Sequence, residues 1–295
     1  MWKVEVRKTR VPPREMAEEE GEEAEGEEGE EGEGEGGGTD DPRGEGLYHP
    51  PLLGVSERVR RRLYQTENFF VESLEKWRAS VGADDVILLG HSLGGYFASL
   101  YALRYPHRVR TLILASPAGV PLAPRNPPQY QGVFRTLIRL WEWRVAPQSA
   151  VRLLGPLGSS LVDKAAKWRF DLEGEEADSV SRYLYQISAA APSGERTLFD
   201  VLAPGAWAYS PLQPRLQNLN KEMNVCFIYG LYDWMDYQAA VPICEALGPR
   251  AHLFRVGDAG HQLYLENSEA FNRLICHICD HSHGVIPPPN IPDVW

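Results

Sequence analysis

The sequence predicts an α/β protein, in which a mostly parallel sheet carries helices on both faces and a helical segment is inserted between two strands. Three observations support this prediction. Apolar strand-like runs alternate with helix-like stretches over residues 63–115. Residues 120–216 then contain no convincing strand, and the alternation resumes over residues 224–279. Because strand–helix–strand units of this spacing form parallel sheets with right-handed crossovers, the two alternating parts are expected to share one sheet.

The first alternating part predicts two helices and two strands. Residues 63–81 read as an amphipathic helix with apolar side chains at helical spacing, and Gly82 can end it. Residues 85–89 form a near-continuous apolar run, which is typical of a strand buried on both faces. A helix over residues 93–105 is ended by Pro106, and Val109–Ala115 is the next strand.

Residues 120–216 are interpreted as an inserted helical cap. The segment is rich in proline and in aromatic residues: Phe134, Trp141, Trp143, Trp168, Phe170, Tyr183, Tyr185 and Trp207. Most of these aromatic side chains are expected to form the core of the cap. The alternative, for a subset of them, is that they line a pocket for an acyl chain.

The second alternating part predicts strands over residues 224–229 and 251–256. Between them, residues 237–247 read as a helix that Pro242 either kinks or starts. An amphipathic helix over residues 268–279 follows, and a proline-rich tail over residues 287–292 comes last.

Four regions are therefore expected. Residues 1–46 form an acidic tail rich in Glu and Gly, residues 47–119 the first part of the core, residues 120–216 the cap, and residues 217–295 the second part of the core with a C-terminal tail. From Glu15 to Glu45 the chain has 16 acidic residues and one Arg. That composition predicts disorder, because too little apolar surface is present to offset the entropy of ordering.

The charge outside the acidic tail argues against nucleic acid as a partner. The whole chain carries a formal charge of −11, but outside Glu15–Glu45 there are 29 Lys and Arg against 25 Asp and Glu. This mildly basic remainder is compatible with anionic lipid surfaces. We find no long basic stripe interleaved with aromatic residues, so nucleic-acid binding is not expected.

The cysteines predict a reducing environment and no metal or other cofactor. Four Cys in a chain of 295 residues do not form a disulfide framework. Cys276 and Cys279, followed by His281 and His283, allow a metal-site reading. The favoured interpretation is that these residues lie in and after the last turn of the C-terminal helix. A structural zinc site would normally include a second pair of ligands. No apolar run of 18 residues exists, so no transmembrane helix is expected.

The most informative motif is Gly90-His91-Ser92-Leu93-Gly94, placed between an apolar strand and a helix. This is the strand–turn–helix setting of a nucleophile elbow, in which glycines allow a strained turn and the serine hydroxyl is exposed. Ser92 is the predicted nucleophile, and the backbone N–H of Leu93 is the predicted oxyanion donor. The alternative is an ordinary glycine-rich turn.

A serine nucleophile needs a base and an acid that orients the base. In α/β-hydrolases the chain order is Ser, then Asp or Glu, then His. Asp233 and Asp236 follow the strand that comes after the cap, and Asp233 is favoured. For either residue the alternative role is a helix N-cap. His261 follows the last strand and is the predicted base, which would take the proton of Ser92 as that residue attacks an ester carbonyl.

Several motifs resemble one lipid-metabolising subfamily of α/β-hydrolases. They are residues 70–77 (FVESLEKW), 88–96 (LLGHSLGGY), 101–106 (YALRYP), 205–211 (GAWAYSP) and 229–235 (YGLYDWM). The subfamily includes the animal coactivator of adipose triglyceride lipase, an N-acyl-phosphatidylethanolamine lipase, plant homologues and a yeast cardiolipin-specific phospholipase. The resemblance covers roughly residues 64–279. It implies the α/β-hydrolase fold and lipid-ester chemistry: phospholipase, lysophospholipase or acylglycerol lipase, with lysophosphatidic acid acylation credited to some members.

Three features distinguish the chain from members of this subfamily. Where the animal coactivator has Asn at the nucleophile position, this chain has Ser92, and the His-x4-Asp motif tied to acyl transfer is replaced by His261 followed five residues later by Glu266. The strand ending in His-Gly-x-Gly that supplies a second oxyanion donor is also missing before the elbow. N-terminal strands of the fold are therefore expected to be absent, which would leave an open apolar sheet edge.

Three interpretations follow. The first is a serine esterase of lipids, with a lipid substrate and a peripheral membrane or lipid-droplet surface as partners. The second is a catalytically impaired lipid-binding or regulatory protein, and the third is a truncated gene product. The expected location is intracellular, in the cytoplasm or at lipid droplets or membranes, with mitochondria as an alternative.

Overall fold

The computed structural model describes residues 2–5, 55–124, 131–170, 174–204 and 207–295. The acidic tail predicted to be disordered, residues 1–46, lies outside this part of the chain except for residues 2–5.

The described residues contain seven strands and eleven α-helices, with short 3₁₀ turns between some of them. The strands are β1 (Trp2–Glu5), β2 (Val86–His91), β3 (Val109–Ala115), β4 (Leu202–Ala203), β5 (Trp207–Ala208), β6 (Asn224–Gly230) and β7 (Ala251–Val256). The helices are α1 (Glu57–Ser80), α2 (Leu93–Arg104), α3 (Val133–Glu142), α4 (Pro147–Leu154), α5 (Gly158–Phe170), α6 (Gly174–Ala189), α7 (Leu198–Val201), α8 (Gln213–Leu216), α9 (Val241–Leu247), α10 (Leu263–Glu266) and α11 (Ser268–Asp280).

The main sheet has five strands in the order β1-β2-β3-β6-β7. Strands β2, β3, β6 and β7 are parallel to one another, and β1 runs antiparallel to β2. The predicted α/β architecture with a mostly parallel sheet is confirmed. Because β2, β6 and β7 all end at the same edge, the segments that follow them are brought together there.

Strand β1 was not predicted. Trp2–Glu5 pair with β2 in antiparallel register, with Trp2 opposite Gly90 and Glu5 opposite Ile87. The open edge expected beside β2 therefore carries a short strand from the start of the chain. Its backbone pairs with N–H and C=O groups of β2 that an edge strand would otherwise expose.

Alternate residues along the strands pack into two apolar cores, one on each face of the sheet. On β3, Leu112 and Leu114 face a core shared with α1, α2 and α9, while Ile113 and Ala115 face a core shared with α10 and α11. This alternation follows from the two-residue period of a strand. The prediction of helices on both faces is confirmed.

Helix α1 begins six residues earlier than predicted. Ser56 is its N-cap and accepts a hydrogen bond from the Val59 N–H, while Leu63, Glu67 and Val71 recur at four-residue spacing on its buried side. A hydroxyl acceptor at this position satisfies one of the N–H groups that a helix start leaves free. Helix α2 differs, because every residue from Gly95 to Ala102 is buried. Such a helix lies between other elements rather than on the surface.

The helices that follow the cap have clear start signals. Pro242 lies in the first turn of α9, so it starts this helix rather than kinking it, and a 3₁₀ turn, Tyr237–Ala240, precedes it. Asn267 caps α11, since its side-chain oxygen accepts a hydrogen bond from the Ala270 N–H at 3.1 Å.

The four cysteines are free thiols. Cys276 and Cys279 lie in α11, as the helix interpretation predicts, and the side chains of His277 and His281 bond to backbone carbonyls. Across the described ranges, no group of three His, Cys, Asp or Glu side chains is placed to hold a metal ion. Over the same ranges, no helix combines the length and apolar character needed to cross a membrane.

The segment between β3 and β6 is mostly helical, but it contains the two-stranded pair β4–β5, which was not predicted. Its aromatic residues are less buried than expected. Trp141 contacts Phe199 at 4.9 Å between ring centroids, whereas Trp143 and Tyr183 are 72% and 61% exposed. Small aliphatic residues such as Val151, Val162 and Ala166 are buried instead. The side chains of Phe134, Trp168 and Phe170 lie outside the described part of the structure.

The C-terminal part of this segment, residues 207–216, is joined to the core, and we call it the cap foot. Backbone N–H groups of Leu212 and Gln213 bond to the carbonyls of Gly119 and Val120. Arg215, 1% exposed, donates to Glu67 Oε1 at 3.2 Å and to Ser210 Oγ at 3.1 Å.

The Glu67 carboxylate also accepts a hydrogen bond from the Tyr96 hydroxyl. Burial raises the pKa of Glu67 above its usual range, and the charge of Arg215 opposes that rise. This buried cluster connects the cap foot to α1 and to the helix that follows Ser92.

Replacing Arg215 by Met should destabilise the fold by about 3–5 kcal/mol, because it removes the partner of a buried charge. Urea unfolding followed by tryptophan fluorescence measures the loss. The matched control is Arg273→Met. Arg273 and Glu269 form an exposed i,i+4 pair, with side chains 58% and 73% exposed, and such pairs contribute about 0.3–0.5 kcal/mol. Equal stabilities of the two variants would contradict the structural role of Arg215.

Candidate active site

Ser92 lies on a tight turn between β2 and α2. Its backbone has φ 54° and ψ −122°, a conformation that residues with a side chain rarely adopt. The Ser92 N–H bonds to the Ala115 carbonyl at 3.0 Å. The Ser92 carbonyl accepts from the N–H groups of Gly95 at 2.9 Å, Tyr96 at 3.3 Å and Ala118 at 3.0 Å. These bonds hold the strained turn in place.

The glycine before Ser92 is required by the closeness of the strand to the helix. A Cβ atom at Gly90 would collide with the backbone oxygen of Gly94 and lie 2.8 Å from Cα of Gly95. Only a residue without a side chain fits at that distance. The predicted elbow geometry is therefore present, with the strand, the turn and the helix where the motif places them.

The loops after β6 and β7 lie against each other at the same sheet edge. The Leu231 N–H bonds to the Val256 carbonyl at 2.8 Å, and the Tyr232 N–H bonds to the Ala259 carbonyl at 2.9 Å. A Cβ atom at Gly230 would collide with the carbonyl oxygens of Ala259 and Gly260. This close approach brings the loop that carries Asp233 next to the loop that carries His261.

The structure brings Ser92, His261 and Asp233 together. His261 Nε2 lies 3.1 Å from Ser92 Oγ, and His261 Nδ1 lies 3.2 Å from Asp233 Oδ1. The side chains of His261 and Asp233 are 9% and 1% exposed, whereas Ser92 is half-buried. The imidazole thus bridges a partly accessible hydroxyl and a buried carboxylate, which is the arrangement needed to move a proton from the hydroxyl.

The surroundings of Asp233 favour its charged form. Burial alone raises the pKa of this carboxyl, but hydrogen bonds from His261 and from the Met235 N–H, together with the nearby Ser116 hydroxyl, outweigh burial. The pKa of Asp233 therefore lies below its usual range. The Met235 N–H donates at 3.0 Å, and Ser116 is fully buried at the end of β3. Asp233 consequently stays ionised near neutral pH.

Asp236, the other candidate acid, has a different role. Its carboxylate accepts a hydrogen bond from the Gln238 N–H at 2.9 Å and caps the 3₁₀ turn that follows. This is the N-cap alternative considered for both residues. The geometry thus favours Asp233 as the partner of His261.

Three contributors to this site were missed by the sequence reasoning. Ser116 faces Asp233, and Glu266 accepts a hydrogen bond from the Gly260 N–H, next to His261. Trp234, which is 61% exposed, has its ring centroid 5.2 Å from that of His261. The Glu266 carboxylate had been noted only for its spacing from His261. No local sequence pattern marks Ser116, because the residue it lies near, Asp233, is on the loop that follows a different strand, β6.

Leu93 is the first residue of α2, so its N–H has no acceptor within the helix and lies beside Ser92. It remains the one oxyanion donor we can name. No His-Gly-x-Gly sequence precedes the elbow anywhere in the chain, and the described residues provide no strand of that type. Exposed apolar side chains of Leu231, Tyr232 and Trp234 lie on the loop that carries Asp233.

Ser92→Gly should be more stable than Ser92→Ala by about 1 kcal/mol. Glycine relieves a strain of about 1–3 kcal/mol, offset by about 0.5–1 kcal/mol for its greater freedom in the unfolded chain. Alanine keeps the strain, and both variants lack the hydroxyl. Urea unfolding of the two variants measures the difference. A Ser92→Ala protein that is equally or more stable would show that the turn is unstrained.

Residues 40–268 match the family described as the alpha/beta hydrolase fold. A 1-acylglycerol-3-phosphate O-acyltransferase from Arabidopsis thaliana is 36% identical over 74% of this chain. The 1-acylglycerol-3-phosphate O-acyltransferase ABHD5 from Sus scrofa is 35% identical over 79% of this chain and 70% of its own length. A (lyso)-N-acylphosphatidylethanolamine lipase from Bos taurus is 33% identical over 72% of this chain and 64% of its own length. The match covers 55% of the Arabidopsis protein, so the chain spans little more than half of that relative.

Solved structures show the same fold at low sequence identity. A serine hydrolase from Cycloclasticus zankles has a TM-score of 0.53 and 18% identity, covering 73% of this chain and 72% of its own. MenH from S. aureus has a TM-score of 0.51 and 18% identity, covering 74% of this chain and 76% of its own. Together with the sequence matches, these likenesses show that the chain belongs to the α/β-hydrolase fold family, among relatives that include acylglycerol-phosphate acyltransferases and an N-acylphosphatidylethanolamine lipase.

Proposed function

We propose that the protein is a serine hydrolase of carboxylic esters in lipids, of the phospholipase, lysophospholipase or acylglycerol lipase type. The observation that carries the proposal is the contact of His261 with both Ser92 and Asp233. The names of the relatives point to acylated glycerophospholipids as the substrate class. Because several relatives are named acyltransferases, transfer of the acyl group to lysophosphatidic acid is the accompanying activity to test.

The proposed reaction has two steps. Ser92 Oγ attacks the ester carbonyl while its proton passes to His261 Nε2, and the Leu93 N–H donates to the oxyanion. The ester C–O bond then breaks, and the leaving alcohol takes the proton from His261, which leaves an acyl-Ser92 ester. Water, or the hydroxyl of an acceptor lipid, gives its proton to His261 and attacks this ester. His261 then returns the proton to Ser92 Oγ as the bond between the acyl group and Oγ breaks, which releases the acyl group and restores the Ser92 hydroxyl.

Asp233 supports both steps through its charge. Because its pKa lies below the usual range, the carboxylate is ionised when the His261 imidazole becomes positive. An ionised partner at Nδ1 stabilises the imidazolium and keeps Nε2 directed at the serine. The Met235 N–H, which donates to Asp233 Oδ1 at 3.0 Å, helps to hold the carboxylate in that orientation.

A second candidate function is that of a lipid-binding or regulatory protein with impaired catalysis. The observation that favours it is that the described residues offer one oxyanion donor, the Leu93 N–H. Loss of one donor typically lowers the rate by about 10²–10³. Under this alternative, lipid binding persists whether or not Ser92 is present.

One experiment separates the two candidates. A fluorophosphonate probe should label the wild-type protein but not Ser92→Ala, and the wild type should release oleate from oleoyl lysophospholipids. Formation of diacyl product from added lysophosphatidic acid reports acyl transfer.

Asp233→Asn should lower turnover by about 10⁴. The matched control Asp236→Asn retains a capping side chain, and its turnover should stay within about threefold of wild type. Equal labelling of wild type and Ser92→Ala would overturn the proposal.

A lipid surface is the proposed partner, and the cap supplies an apolar face for it. Four exposed leucines lie at the end of α4, in the following turn and at the start of α5, and we call them the leucine tip: Leu153, Leu154, Leu157 and Leu161, exposed by 89%, 44%, 75% and 46%. Contiguous exposed apolar side chains are typical of interaction sites. Over the whole cap, residues 120–216, eleven Lys and Arg stand against nine Asp and Glu, so the proposal of a lipid surface rests on the leucine tip and not on net charge.

Changing Leu153 and Leu157 together to Ser should weaken binding to vesicles of phosphatidylcholine and phosphatidic acid by about tenfold or more, because buried leucines contribute about 1.5–3 kcal/mol each. Co-sedimentation measures binding. The control changes Leu122 and Val285 to Ser, since these residues are 57% and 54% exposed elsewhere on the molecule. Turnover of a soluble short-chain ester should be unaffected by either pair. Equal vesicle binding by both double variants would remove the leucine tip from the proposal.

A further inference from the structure

His91, the last residue of β2, lies next to Ser92 but is not used in the proposed reaction. It is 8% exposed, and its Nε2 atom lies 2.8 Å from the backbone carbonyl oxygen of His261. A carbonyl oxygen can only accept a hydrogen bond, so Nε2 must carry the proton. This bond joins the end of β2 directly to the loop that carries the proposed base.

The surroundings of His91 keep its ring neutral. Burial lowers the pKa of His91 to about 4. The charged or titratable groups that act on it include His261 and Asp233, and the ring of Tyr264 from α10 contacts it edge-on at 5.1 Å between centroids. The His91 and His261 ring centroids are 4.9 Å apart. A neutral His91 therefore places no second positive charge beside His261 when that ring takes a proton.

The main chain around His261 is held on both sides. The Gly260 N–H donates to the Glu266 carboxylate, and the His261 carbonyl accepts from His91. The imidazole must reach Ser92 Oγ and Asp233 Oδ1 at the same time, at 3.1 Å and 3.2 Å. A shift of this segment by about 1 Å would lengthen one of the two contacts, and misplacement of that size typically costs about 10²-fold in rate.

We propose that His91 is a positioning residue for His261, which donates a hydrogen bond to the His261 carbonyl and so holds the imidazole between Ser92 and Asp233. This inference rests on the proposed function only for its effect on rate, because the contact itself is independent of any reaction. His91 touches neither the substrate carbonyl nor the reacting hydroxyl in this role.

A pair of substitutions tests the hydrogen bond. His91→Gln keeps an N–H donor at about the place of Nε2, whereas His91→Met has a similar volume without a donor. The rate of fluorophosphonate labelling should fall about 10- to 100-fold in His91→Met and stay within about threefold of wild type in His91→Gln, with equal Tm values for the two variants. His252→Met, a change of a histidine in β7, is the matched control and should label at the wild-type rate. Equal rates in both His91 variants, whether normal or reduced, would overturn the proposal.

A second measurement does not depend on catalysis. In NMR spectra of protein with ¹⁵N-labelled histidine, His91 should remain the neutral tautomer protonated at Nε2 from pH 8 to pH 5. Titration of His91 near its ordinary pKa, or protonation at Nδ1, would overturn the inference. If the wild type is not labelled by the probe, the proposed function fails, and the NMR result alone then decides whether His91 holds the loop.

Discussion

The carbonyl oxygen of Ser92 is the point on which the surrounding structure depends. It accepts backbone N–H groups from the first turn of α2 and from the segment that follows β3, while the Ser92 N–H bonds to the last residue of β3. The strained backbone at this residue is thus satisfied by three different elements. The segment that follows β3, the start of helix α2 and strands β2 and β3 all meet at the backbone of this one residue, so backbone geometry sets the position of its hydroxyl.

Most of the core could be predicted because its signals are local. Buried parallel strands read as continuous apolar runs, and the run over residues 85–89 predicted β2 in this way. Strands β3, β6 and β7 were also predicted, from their place in the alternation of strands and helices. The start of α1 was placed too late, because the apolar spacing begins at Leu63 whereas the capping signal lies at Ser56. Strand β1 could not be predicted, since four residues become a strand only when a free edge is available elsewhere in the chain. The exposure of the cap aromatics likewise depends on how short helices pack, which periodicity does not determine.

The candidate site was predictable in its order but not in its supporting contacts. The sequence placed Ser92, Asp233 and His261 after three strands that end at the same edge, and the structure brings all three together. Asp233 and Asp236 are three residues apart on one loop, so only the direction of each side chain could separate them. His91 and His261 are 170 residues apart, and Ser116 reaches Asp233 from a neighbouring strand. Contacts of this kind do not show as a periodicity in the sequence, because each requires two segments that are distant in sequence to meet.

The inserted segment has two parts that are expected to differ in stability: the cap foot, and the outer helices α4, α5 and α6. Residues 207–216 share backbone bonds and the buried Arg215 with the core, so the amide hydrogens of Leu212 and Gln213 are expected to exchange only when the core itself opens. Helices α4, α5 and α6 contact mainly one another and expose many apolar side chains, which is typical of segments with a low free energy of local opening. The inserted segment is therefore expected to open in two steps on heating, with the outer helices separating well before the foot leaves the sheet.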